Sequence, residues 1–317
     1  MSRALILGSG GHTAIGWEVG VLHGLAAGGV DVQNWDYIVG SSAGSFVGAR
    51  LAAGLLDATY TDLTSGDPAV ERAAFAAGMG NSLPYLLSLG GQIGRAAVQA
   101  WIAGAVVRRF AGAARLGGLR PLRAVPAALG RALGPGRLTA REMTDLAALA
   151  VGLRQRQAAC YEAYWAGKLM PEADWPSMRL GIIAFCSSLG QRRVIEATDG
   201  VPLARAVAAS TSIPGLVGAV EIGGRHHIDC GALDSTSADL ADGFDDVLIL
   251  APDANPGELA RTVPPLEARG SRVSVIAPSD PASFGEGVQH LDVSRVPAAT
   301  ALGVRDGREA VERLRSP

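Results

Sequence analysis

Lysine is almost absent from this 317-residue chain: Lys168 stands alone, and nearly all positive charge is arginine. That asymmetry reads as compositional bias rather than as a binding feature. Cysteine is scarce too. Cys160, Cys186 and Cys230 are odd in number, widely spaced and without a CxxC pair, and with the five histidines they make no plausible zinc set. The expectation is therefore no metal, no cofactor and a reducing, cytoplasmic compartment. No long run of Lys and Arg without apolar partners occurs, and the formal net charge is −2, so a nucleic-acid partner is disfavoured. A clean membrane-spanning run is missing as well. Val98–Ala114 comes nearest, but Arg108 and Arg109 interrupt it and Arg95 and Arg115 crowd its ends, which a bilayer centre tolerates poorly. Ala4–Leu7 is too short for a signal-peptide core and reads as a first buried strand.

What remains is apolar enough for a large core, with 48% hydrophobic residues and no internal repeat. Ala4–Leu7, Tyr37–Val39, Leu180–Phe185, Arg193–Glu196, Asp246–Leu250 and Arg272–Ile276 read as strands. Gly16–Ala27, Ala43–Leu56, Leu203–Ala209 and Arg305–Leu314 read as helices. Glycine turns separate strand from helix at the start. This alternation predicts an α/β sandwich around a mostly parallel sheet, spanning residues 1–317 as one domain.

Three clusters carry chemistry. Gly40-Ser41-Ser42-Ala43-Gly44 fits G-x-S-x-G between a strand and a small-residue helix. That is the setting of a nucleophile elbow, in which Gly40 and Gly44 leave room for a tight turn around Ser42. A glycine-rich turn with a capping serine gives the same pattern. Gly8-Ser9-Gly10-Gly11-His12-Thr13 also joins a strand to a helix. As a dinucleotide fingerprint it fails, because Thr13 replaces the third glycine and the second strand ends in Gly40 rather than an acid. As an oxyanion hole it fits: its backbone amides leave the same sheet edge as Ser42. The third cluster, Ile228-Asp229-Cys230-Gly231-Ala232, follows a His-bearing turn at Gly223 to His227. Taken alone, Asp-x-Gly is an ordinary turn.

The ordered set, with the stretch Ala209-Ser210-Thr211-Ser212-Ile213-Pro214-Gly215, resembles the patatin-like phospholipase family over residues 4–240. The resemblance implies a three-layer α/β sandwich and a lipid acyl-ester hydrolase of phospholipase A, lysophospholipase or esterase type. It implies Ser42 as nucleophile and Asp229 as its dyad partner, with Gly8, Gly10, Gly11 and His12 around the oxyanion and Gly231 supporting the Asp motif. Two departures stand out. The family commonly has glycine where this chain has Cys230, and often Arg or Lys where Ile15 precedes Gly16. Two rival readings stay open: a Ser-His-Asp triad from Ser42, Asp253 and His290, and a non-catalytic lipid-binding protein that retains the fold. His226, His227 and His290 read as surface or turn residues.

Residues 73–141 differ from the rest. They contain no Asp or Glu but nine arginines, together with Trp101 and Phe110, broken by Gly117-Gly118, Pro121, Pro126 and Pro135. Two readings compete: an insert or lid lying on an anionic bilayer, and a helical subdomain with its arginines facing water. On the first reading the protein binds anionic vesicles more tightly than neutral ones. The preference should shrink at high salt, because charges more than ~8 Å apart are screened at physiological ionic strength. Changing Arg108 and Arg109 together to Gln should weaken sedimentation with vesicles while sparing hydrolysis of a soluble short-chain ester. Equal partitioning onto neutral and anionic vesicles would leave the segment as ordinary packing.

Overall fold

The apolar runs assemble into one sheet. The computed structural model describes residues 1–78, 137–151, 155–169, 174–214, 216–253, 256–284 and 287–315. Most of the acid-free segment, with Trp101, Arg108, Arg109 and Phe110, lies outside the described residues.

The strands are β1 (Arg3–Leu7), β2 (Tyr37–Ser41), β3 (Leu180–Cys186), β4 (Gln191–Ile195), β5 (Val220–Ile222), β6 (Arg225–Ile228), β7 (Asp246–Leu250) and β8 (Arg272–Ile276). Those in the order β3-β2-β1-β7-β8 run parallel, and β4, β5 and β6 add antiparallel pairings at the β3 end. Helices flank the sheet: α1 (Gly11–Ala27), α2 (Ala43–Ala52), α3 (Leu56–Ser65), α4 (Pro68–Gly78), α5 (Ala140–Val151), α6 (Gln155–Leu169), α7 (Leu203–Ser210), α8 (Pro256–Ala268) and α9 (Val296–Arg315). Being covered on both faces, β1, β2 and β3 read as continuous apolar runs rather than alternating ones. The expected three-layer α/β architecture is the one observed.

One detail of the pairing positions the site. Ile182 of β3 lies between Gly40 of β2 and Ile195 of β4, whereas Phe185 lies between Ile228 of β6 and Arg192 of β4. Strands β2 and β6 therefore share one edge of β3, approaching each other end to end from opposite directions. Ser42 follows the last residue of β2, and Asp229 follows the last residue of β6. The sheet itself brings the two together.

The structure departs from the sequence reading at several boundaries. Helix α1 begins at Gly11 rather than Gly16, so Gly16 lies inside it, against Val296 and Thr300. Its predecessor Ile15 is therefore not a helix-start residue. The helix expected over Ala43–Leu56 is interrupted where Gly54 takes a φ of 72°, and α3 starts afresh. Gly223 and Gly224, at φ 57° and 73°, are the turn of the β5–β6 hairpin, and Arg225 to His227 belong to a strand. Helix α9 starts at Val296, well before Arg305. Its small residues Gly303 and Gly307 face α1, so its packed side carries little apolar signal.

Those small residues let α1 and α9 cross at backbone contact. A Cβ on Gly20 would lie 2.2 Å from the Thr300 carbonyl oxygen, and one on Gly303 would lie 2.1 Å from that of Trp17. Beside this crossing the buried Trp17 indole donates to Asp306 at 2.7 Å. The helix pair carries the glycine loop at its leading end, so its spacing matters to the site. Gly303→Val should force the helices apart and destabilise the fold by roughly 1–3 kcal/mol, the usual range for overpacking. Gly167→Ala is the control: this helical glycine has nothing within 4 Å of the added carbon. It should leave the thermal midpoint unchanged or slightly raised.

Candidate active site

Ser42 sits at the strand-to-helix turn with φ 52° and ψ −113°, a backbone conformation that L side chains rarely adopt. Such a residue costs ~1–3 kcal/mol and persists only where its surroundings over-determine it. They do so here. The Gly44 amide donates to the Gly8 carbonyl at 3.0 Å, the Ser45 hydroxyl to the Ser42 carbonyl at 2.6 Å, and the Ser42 amide to the Ser210 hydroxyl at 2.9 Å. Neither flanking position admits a side chain. A Cβ on Gly40 would lie 2.3 Å from the Gly44 carbonyl oxygen, and one on Gly44 would lie 2.3 Å from that of Leu7.

The Ser42 hydroxyl donates directly to Asp229 Oδ2 at 2.7 Å. The other carboxylate oxygen, Oδ1, accepts the Gly231 amide at 2.7 Å, and the Asp229 amide donates to the Ser212 carbonyl at 3.0 Å. Burial pushes the Asp229 carboxyl up to about 6, with the hydrogen bonds from Ser42 and Gly231 holding it lower than burial alone would. A buried carboxylate with a raised proton affinity, in contact with a strained serine, is equipped to take that serine's proton near neutral pH.

The glycine loop lies against the elbow. Gly10 and Gly11 take φ of 149° and 67°, and Gly10 caps α1. The leading amides of a helix have no intrahelical acceptor, and those of Gly11, His12 and Thr13 hold that position. Gly8 differs from the other expected oxyanion residues. Its amide donates to Leu250 O at 3.1 Å, so it frames the loop and has no free donor; the Ser9 amide is likewise committed to Ser235 O at 2.9 Å. The His12 imidazole packs edge-on against Phe75 at 4.2 Å, with Nε2 3.5 Å from the Tyr164 hydroxyl. Burial lowers it to about 4, so it is neutral at pH 7.

Cys230 and Gly231 divide the work of the Asp motif. The Cys230 side chain is fully buried in the core. At Gly231 a Cβ would lie 2.7 Å from the Ser9 Cβ, so glycine is demanded there rather than at 230. The departure at Cys230 leaves the glycine at 231 in place, where the contact with Ser9 requires it.

Among the described residues, none of the histidines bonds to Ser42. His227 is fully buried in β6 rather than at the surface or in a turn, with Nδ1 3.0 Å from the Arg225 carbonyl and its basicity lowered by burial to about 4. His290 occupies a short 3-10 helix, Gly287–Leu291, whose backbone backs onto Gly11. The Ser42 hydroxyl meets a carboxylate with no imidazole between them. Ser210 and Ser212 were legible as motif letters but not as the residues that brace Ser42 and Asp229. Among the described residues no cluster of three or more His, Cys, Asp or Glu has metal-binding geometry, and no helix is long and apolar enough to cross a membrane.

Compared with curated proteins, the chain matches none. Among protein families, the description that matches is patatin-like phospholipase, over residues 5–242. That span runs from β1 through the glycine loop, the elbow and Asp229, three-quarters of the chain. This chain belongs to the patatin-like phospholipase family, whose general chemistry is the hydrolysis of lipid acyl esters.

Proposed function

We propose that the protein hydrolyses lipid acyl esters through a Ser42–Asp229 dyad and an acyl-enzyme. The observation that carries this reading is the direct 2.7 Å hydrogen bond from the Ser42 hydroxyl to Asp229 Oδ2. Ser42 Oγ attacks the ester carbonyl carbon as its proton passes to Oδ2. The carbonyl oxygen becomes an oxyanion, held by amides of the Gly10–His12 turn, each donor contributing ~3–4 kcal/mol in comparable sites. Collapse breaks the ester C–O bond, and the leaving alkoxide takes the proton from Asp229. A water then attacks the acyl-Ser42 carbonyl, gives its proton to Asp229, and the fatty acid departs as the proton returns to Ser42. Phospholipids, lysophospholipids and simple esters all fit this chemistry.

Ser42→Ala should abolish ester turnover and labelling by a fluorophosphonate, which needs an activated serine; a non-catalytic lipid binder would be unlabelled from the start. Asp229→Asn should lower turnover at least ~100-fold, the lower range for a lost general base. His290→Ala should change it little, and a crippled His290→Ala enzyme would replace the dyad by a triad.

The pH dependence follows from the raised Asp229 carboxyl. The base works only when ionised, so kcat/KM should fall as pH drops through about 6. A carboxyl at its ordinary value near ~4 would keep activity well below that. A midpoint near 4 would show that the burial of Asp229 does not tune it.

A further inference from the structure

Arg137 is one of the nine arginines of the acid-free segment, and its guanidinium is turned onto the protein. Its side chain is 19% exposed and ends between the loop after Asp229, the loop after β7 and helix α8. Nη1 donates to the Gly231 carbonyl at 2.6 Å, and Nη2 donates to the Asp253 carbonyl at 2.7 Å while pairing with Glu258 Oε2 at 3.0 Å. Next to it, the Leu138 amide donates to the Ala232 carbonyl at 2.8 Å.

Each of these partners leads to the chemistry. The residue whose carbonyl Arg137 grips, Gly231, donates its amide to Asp229 Oδ1 at 2.7 Å. Asp253 and Pro252 stand behind the glycine loop: a Cβ on Gly10 would lie 3.5 Å from the Asp253 Cβ and 3.7 Å from the Pro252 Cβ. Glu258, buried in α8, accepts from the amides and hydroxyls of Ser235 and Thr236 at 2.8–3.2 Å. Ser235 in turn accepts the Ser9 amide through its carbonyl at 2.9 Å. A planar guanidinium with donors in a fixed fork can satisfy two carbonyls and a carboxylate at once; a lysine ammonium has no such plane.

We propose that Arg137 is a positioning residue, which holds the Gly231 turn so that its amide fixes the Asp229 carboxylate, and holds the wall behind Gly10 in register with it. This rests on the dyad reading of Ser42 and Asp229. The rival role is purely structural: a counter-charge for the buried Glu258.

Arg137→Lys separates the two, because it keeps the charge beside Glu258 and loses the fork. Turnover of a short-chain p-nitrophenyl ester should fall by on the order of 100-fold in kcat with KM little changed, as expected for a small displacement of a reacting group. The acid limb should also move to higher pH, because a weakened Gly231 N–H bond favours the carboxylate less. The thermal midpoint should stay near that of the parent protein. A Lys variant with the parent's kcat and acid limb overturns the proposal, as does an activity loss that tracks unfolding with the acid limb unmoved. Should Arg137→Lys fold poorly, Arg137→Gln with Glu258→Gln removes both charges together and is judged by the same acid limb. If the parent protein itself shows no turnover dependent on Ser42 and Asp229, the dyad has failed; if the parent behaves as a dyad and the Lys variant matches it, only the role of Arg137 has failed.

Discussion

The site depends on two strands sharing one edge of β3. Strand β2 pairs along Leu180–Ile183 and then turns away at Ser42, which frees the edge for β6 to pair at Phe185 and Cys186 from the opposite direction. The residue that leaves β2 and the residue that leaves β6 then have to meet, and their side chains form the 2.7 Å hydrogen bond. No flexible loop has to find the serine. Because both residues emerge from hydrogen-bonded strands, backbone pairing sets the geometry that holds the two side chains at bond distance.

Holding them there requires bracing on every side. The elbow is strained at Ser42, and the strain is contained by bonds from the Gly44 amide to Gly8, from the Ser42 amide to Ser210 and from the Ser45 hydroxyl to the Ser42 carbonyl. Asp229 is held at both carboxylate oxygens and at its amide. The loop after Asp229 is then tied to the glycine loop through Ser9 and Ser235, and to α8 through the buried Glu258 carboxylate. Glu258 lies lower than an ordinary carboxyl despite its burial, because Arg137 and the hydroxyls and amides of Ser235 and Thr236 favour its charged form. A buried charge so fully bonded fixes one arrangement of the loop, since any slip would leave it unpaired.

The parts legible in the sequence were those with local signatures. Apolar runs marked the strands, because β1, β2 and β3 are buried on both faces and cannot alternate. The elbow and the glycine loop were legible because Gly40, Gly44, Gly10 and Gly11 are demanded by backbone contact or by φ. Asp229 was visible only through the ordered set of motifs, since the end-to-end approach of β2 and β6 on β3 leaves no trace in spacing. The start of α9 was missed because the residues that contact α1 are small, and a glycine interface carries no apolar signal. Arg137 could not be singled out for a similar reason. In a stretch with nine arginines and no acid, nothing local distinguishes the one whose partner, Glu258, lies far along the chain.

The central claim is that Ser42 attacks while Asp229 takes its proton and the glycine loop receives the oxyanion. A crystal structure of the protein after reaction with an organophosphonate ester tests it most directly. The account predicts phosphorus bonded to Ser42 Oγ, Asp229 Oδ2 still facing that oxygen, and the phosphoryl oxygen within ~3 Å of amides between Gly10 and His12. An adduct on another residue would contradict it. So would a phosphoryl oxygen turned away from the glycine loop, or a histidine standing where Asp229 should be.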